Sequence, residues 1–244
     1  MLQLPGLSHR TTATTTIPNI FKCPLTSAPS EPITSRIRQG SPLTVSFGQA
    51  TFDAEGLETV GAYFSRAIHW PGGVKSGVTI GRGYDMGLRT QLQVQRELEY
   101  AGVDTNDAAQ LSRGAGLRGP SAHSFVLENR ATAPVLSQEA QKQLFEIVVA
   151  PEIINDIRRI LTKPDVVDHY GATEWRCLRP EIQALLFDLR YRGDYTPDVR
   201  EQIQEYVVSN NTQGLTAVMS DRSFWRSRGV TDARIATRLQ ILGR

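Results

Sequence analysis

The sequence predicts an α+β protein, with a small β-sheet or hairpin lobe followed by a larger helical lobe and a cleft between the two. Three observations carry this. Residues 43–85 contain short apolar runs suited to strands, broken by the turn Trp70-Pro71-Gly72-Gly73. From Leu92 onward, apolar residues recur at helical spacing between proline and glycine breaks. Ser76–Gly87 carries Thr79, Arg82, Tyr84 and Asp85 among glycines, a mixture that suits a cleft wall better than a core strand.

Residues 1–42 are rich in Thr, Ser and Pro and lack apolar periodicity, so they read as a flexible leader or linker before a domain at 43–244. An arm packed through Ile17, Ile20 and Phe21 is the alternative. Leu43-Thr44-Val45-Ser46-Phe47 alternates and predicts a short strand, residues 51–68 are ambiguous, and Val78-Thr79-Ile80 reads as a strand.

Leu92, Val94, Leu98 and Ala101 then suit a helix ended by Gly102, and another follows near Asp104–Ser112. Gly114, Gly116, Gly119 and Pro120 are expected to break the chain. Ser137 can cap a helix through Ala140, Leu144 and Val148, and Pro151 is expected to open the next, with Ile153, Ile154, Ile157 and Ile160 inside. Pro180 and Pro197 open two more, and helices near 212–219 and 231–242 complete the set.

The chain has 244 residues, 40% apolar, which is enough for a packed core. A net charge of +2 is too weak to indicate nucleic-acid binding, although it suits an anionic polymer. Cys23 and Cys177 lie far apart; one disulfide is possible in principle, but they read as two free thiols, and with His9, His69, His123 and His169 they show no metal-ligand spacing, so neither metal nor cofactor is expected. No apolar run approaches the ~20 residues of a membrane span, and no secretory apolar core opens the chain. Delivery to an extracytoplasmic substrate would then come from lysis, a pore or a secretion apparatus.

Gly77, Gly81, Gly83 and Gly87 fall at even intervals, leaving one face of an extended segment bare. Asp53, Glu55 and Glu58 precede an interval, Thr59 to Tyr84, that holds no acidic residue, and Asp85 follows it. Two carboxylates brought together by folding are what glycoside hydrolysis needs.

Thr79-Ile80-Gly81-Arg82-Gly83 resembles the Thr-Ile-Gly-x-Gly signature of phage-type lysozymes, and Glu55-Gly56-Leu57 is similar to the Glu-Gly-Leu that carries their catalytic acid. The longer Thr-Ile-Gly-Arg-Gly-Tyr-Asp run is closer to the lysozyme-like domain of pesticin and related bacterial toxins, whose second carboxylate follows the motif, at the position of Asp85. Phe64-Ser65-Arg66, His69-Trp70-Pro71-Gly72 and the run from Phe187 to Tyr195 also look like that group, and the likeness covers roughly 43–244. Phage enzymes place an Asp between the Glu and the Thr. This chain has none there, which favours the pesticin-like arrangement.

The resemblance implies a lysozyme-like fold and a muramidase that cleaves the β-1,4 link between N-acetylmuramic acid and N-acetylglucosamine, of toxin, effector or lysis type. It implies inversion, peptidoglycan strands and an immunity protein as partners, a monomer, and action at the cell wall in the periplasm of a target cell. Glu55 would be the general acid, with Phe52 and Leu57 desolvating it, and Glu58 is its rival. Asp85 would handle water or the cationic transition state, and Thr79 would hold the water.

Arg82 and Tyr84 would bind glycan or peptide stem, or brace Asp85. His69 would titrate or shape the hairpin, and Trp70 would stack on sugar or pack in the core. Tyr191, Arg192 and Asp194 would form the opposite cleft wall or a helix terminus. Arg222, Arg226, Arg228, Arg234 and Arg238 read as a solvated basic face. A non-catalytic peptidoglycan-binding module, a lytic transglycosylase and a chitinase-like hydrolase are the alternatives.

Overall fold

The computed structural model describes residues 43–243, so the leader read at 1–42 lies outside the described residues. Leu43–Phe47 is not a strand. The Gln49 side chain accepts a hydrogen bond from the Val45 amide and donates to the Leu43 carbonyl, taking up groups that a ladder would have used. Val45 is buried and Phe47 packs edge-on against Phe187, so the alternation records two inward contacts without a strand partner. The chain then enters a short helix, α1 (Gln49–Ala54).

The sheet is a single antiparallel hairpin, β1 (Thr79–Ile80) and β2 (Tyr84–Asp85), with Thr79 opposite Asp85 and Ile80 opposite Tyr84. His69 joins the outer edge of β1 through two backbone bonds with Thr79, of 2.8 and 2.9 Å. Ile80, Tyr84 and Met86 are fully buried beneath the hairpin, each worth about 1.5–3 kcal/mol of burial.

The rest is helical. Thr90 caps α2 (Gln91–Tyr100) and Gly102 follows its end at φ 89°. Asp104 caps α3 (Thr105–Leu111). Pro120 does not break the chain; it stands at the first helical position of α4 (Pro120–Asn129), where its missing N–H costs nothing. Ser137 caps α5 (Gln138–Leu144) through the Ala140 amide, as its position predicts.

Pro151 stands in the first turn of the next helix, as expected, but that helix does not begin afresh. α5 runs through a π-helical turn at Phe145–Val149 into α6 (Ala150–Leu161). Proline cannot complete the usual i→i−4 bond, and the widened turn accommodates it. α7 (Pro164–Tyr170) and α11 (Arg222–Arg226) are further short helices with weak periodicity. α8 (Pro180–Tyr191), α9 (Pro197–Val208), α10 (Thr212–Ser220) and α12 (Asp232–Ile241) lie where the sequence places them.

α8 is the central helix. Ile182, Leu185, Leu186, Phe187, Asp188 and Leu189 are all buried, which leaves little of this stretch facing solvent. Phe145 links α8 to α1 through edge contacts with Phe52 and Phe187. The chain is therefore α+β, mostly helical with one small hairpin. Cys177 is disulfide-bonded, which corrects the reading of two free thiols; Cys23 lies outside the described residues.

Candidate active site

The hairpin register sets the first wall of a cleft. Directly opposed residues of an antiparallel pair place their Cβ atoms ~4.5–5.5 Å apart on one face. Thr79 and Asp85 are such a pair, and the bridge to His69 extends the row to three residues. All three line a cleft of about 300 Å³. Glu55, at the C-terminus of α1, and Tyr191, the last residue of α8, line it as well, as do Val149, Glu152 and Ile153 from the π turn and α6. Glu55, Asp85, Thr79, His69 and Tyr191 thus come together from four separate segments, Thr79 and Asp85 sharing the hairpin.

The Asp85 carboxylate rests on backbone, accepting from the Gly87 amide at 2.6 Å and the Gly77 amide at 3.1 Å. A Cβ on Gly77 would stand 2.2 Å from one carboxylate oxygen, so this glycine is bare because Asp85 occupies its side-chain space. Asp85 remains exposed toward the cleft. His69 is largely buried, and that desolvation holds its pKa below the ordinary histidine value against the opposing pull of the Ala67 carbonyl.

Glu55 is anchored by charge. Its Oε1 accepts from the Arg234 guanidinium at 2.5 Å. Phe52 lies in the core and Leu57 is exposed, so the apolar flank expected around Glu55 is replaced by a cation. Arg234 also meets the fully buried Asp188 at 2.6 Å, and Asp188 takes Arg238 at 2.8 Å and the Thr51 hydroxyl at 3.1 Å. Arg238 continues to Asp194, which Arg192 grips with one nitrogen at 2.9 Å from each oxygen. The result is a line of alternating charges from the cleft into the helical lobe. Burial alone would favour a neutral Arg234; the carboxylates of Asp188 and Glu55 outweigh it and raise its pKa.

Several residues predicted for the site are elsewhere. Arg82 is buried, lies over the Phe52 ring at 4.1 Å, and donates to the Phe52 carbonyl and to Glu58. It braces the end of α1 rather than Asp85, and Gly56 is bare because Arg82 fills the space beside it. Tyr84 points into the core and donates to Glu97 at 2.5 Å. Arg192 and Asp194 belong to the ion line behind the cleft and do not line it.

Trp70 stacks on His123 at 4.7 Å. Glu58 is bound by Arg66, Arg82 and Gln141; burial pushes its pKa up, but those hydrogen bonds outweigh it and the value falls below the ordinary one. It lies outside the cleft lining, where the carboxylates are Glu55, Asp85 and Glu152.

Arg234 and Arg238 are buried, not a solvated face, because Asp188 compensates them. Arg222, Arg226 and Arg228 remain on the surface, paired with Asp232 and Asp198. Sequence reasoning missed Glu152, which Arg89 holds bidentately at 2.6 and 2.7 Å on the cleft rim. It also missed the role of Asp188; an acid in the middle of an otherwise apolar helical stretch, with two arginines four apart on a later helix, was the available signal.

Among the described residues, no group of His, Cys, Asp or Glu is arranged to hold a metal ion, and no helix is long and apolar enough to cross a membrane. Residues 48–239 match the family described as Domain of unknown function (DUF8812), and the chain belongs to that family. A comparison with curated proteins found no match.

Proposed function

We propose that this DUF8812 protein is a muramidase of lysozyme-like architecture that hydrolyses the β-1,4 link between N-acetylmuramic acid and N-acetylglucosamine. One observation carries the reading: Glu55 and Asp85 line one cleft with Thr79, Glu55 on the helical side and Asp85 on the hairpin. Two carboxylates flanking a cleft are the minimum machinery of glycoside hydrolysis. The match of these positions to the lysozyme and pesticin motifs supplies the substrate class.

In this reading Glu55 protonates the leaving oxygen. Arg234 fixes the carboxyl in place, and its own charge is shared with Asp188. Asp85, oriented by two backbone amides, directs water or faces the positive charge that develops on the sugar. Thr79, its cross-strand partner, holds that water through its hydroxyl. Positioned acid–base groups of this kind contribute about 10²–10⁴-fold in rate. The partners proposed are peptidoglycan strands and an immunity protein, and the place of action is the wall of a target cell.

The test is turbidity loss of purified peptidoglycan sacculi with wild type, Glu55→Gln and Asp85→Asn, with products identified by mass spectrometry. Wild-type lysis yielding reducing muramic acid ends, lost in Glu55→Gln, is the expected result. Anhydro ends would replace the hydrolase reading with a transglycosylase. Retained binding without lysis would replace it with a binding module.

A further inference from the structure

Tyr84 and Tyr195 are buried and satisfy their hydroxyls internally, whereas Tyr191 is only partly buried. Tyr84 donates to Glu97 at 2.5 Å and Tyr195 donates to Gln204 at 2.6 Å. Tyr191 has no hydrogen-bond partner among the described residues, and it lines the cleft beside Glu55. A tyrosine hydroxyl at a cleft wall with no internal partner is open to an acceptor on whatever the cleft binds.

The hairpin makes room for this hydroxyl. A Cβ on Gly83 would stand 2.0 Å from the Tyr191 oxygen, so the glycine of the hairpin turn is bare where the phenol tip rests. At the other end, the ring lies against Phe187 with centroids 6.3 Å apart. Both ends of the side chain are held at the cleft wall.

We propose that Tyr191 is a catalytic residue, its phenol donating a hydrogen bond to a sugar oxygen at the link being cleaved; this rests on the hydrolase reading above. Burial, and then the nearby Glu55 carboxylate, push the phenol pKa well up, so it stays a donor across the working pH range. A donor fixed before substrate arrives needs no reorganisation as charge develops in the transition state. The sugar supplies the acceptor that the protein withholds.

The test is steady-state hydrolysis of soluble peptidoglycan fragments by wild type, Tyr191→Phe and Glu55→Gln, with thermal midpoints measured in parallel. Tyr191→Phe is expected to lower kcat about tenfold, the size of one lost hydrogen bond, with KM and the thermal midpoint unchanged. Unchanged kcat, or a rise in KM alone, would overturn the catalytic assignment. A lowered thermal midpoint would reveal an internal partner and overturn it too. A wild type that releases no fragments would refute the hydrolase reading itself, and the role of Tyr191 with it.

Discussion

Asp188→Asn is the most searching perturbation of this fold. The carboxylate is fully buried between two guanidinium groups, Arg234 at 2.6 Å and Arg238 at 2.8 Å, and also accepts from Thr51 at 3.1 Å. The line Glu55, Arg234, Asp188, Arg238, Asp194, Arg192 alternates in sign and sums to zero. Neutralising its third member leaves the buried stretch one positive charge in excess.

Removing one partner of a buried pair costs about 3–5 kcal/mol, because the remaining charge is stranded rather than because the pair itself was so favourable. For a domain of this size each kcal/mol moves the thermal midpoint by roughly 2–4 °C, so a fall of about 6–20 °C is expected. The amide keeps the carboxylate's shape, so a packing defect does not account for the loss.

The assay is circular dichroism melting with urea titration at neutral pH, using Asp232→Asn as the control, since that pair with Arg226 is on the surface. The control should melt with wild type. A loss below about 1 kcal/mol in Asp188→Asn, the range of an exposed pair, would refute the claim that the ion line is desolvated.

Gly77→Ala should abolish turnover, since its Cβ would meet an Asp85 oxygen at 2.2 Å and the Gly87 nitrogen at 2.4 Å. A misplacement of this order costs about 10²-fold in rate, and turnover within tenfold of wild type would contradict it. Glu58→Gln should keep most of the activity and lose stability. The depressed pKa of Glu58 means that its stabilisation is present above the unfolded glutamate value of ~4.3 and lost as pH falls through the folded value. Melting curves of the variant and wild type should therefore converge in acid. Tyr84→Phe should cost about 1–3 kcal/mol by removing a hydrogen bond to the charged Glu97, which keeps Gln93 and Arg89, with hydrolysis unchanged; a loss of activity would place Tyr84 in the site after all.

The site was legible in the sequence wherever a residue's role is local. Glycine at 77 and 83 announced close approaches to the backbone, and the structure shows what approaches: the Asp85 carboxylate and the Tyr191 hydroxyl. Thr79 and Asp85 share a face because strand periodicity is two and the turn between them is tight. Helix starts at Ser137, Pro180 and Pro197 followed from caps and fixed φ angles, which act within one turn. The strand expected at 43–47 failed because alternation reports which side chains turn inward and not whether a neighbouring strand exists.

Long-range charge was not legible. Arg234 and Arg238 read as ordinary surface cations, since nothing near them in the chain compensates them; Asp188 does so from 46 and 50 residues away. Arg82, Tyr84, Arg192 and Asp194 have the residue types of a binding cleft, yet they turn to Glu58, Glu97, Gly229 and Arg238. Backbone geometry and side-chain periodicity are properties of a few neighbouring residues, so the α+β order of elements and the shape of the hairpin could be read along the chain. Desolvation and ion pairing depend on which residues folding brings together. Only the packed structure decides that Glu55 is held by Arg234, that Glu58 is bound elsewhere, and that Tyr191 lines the cleft.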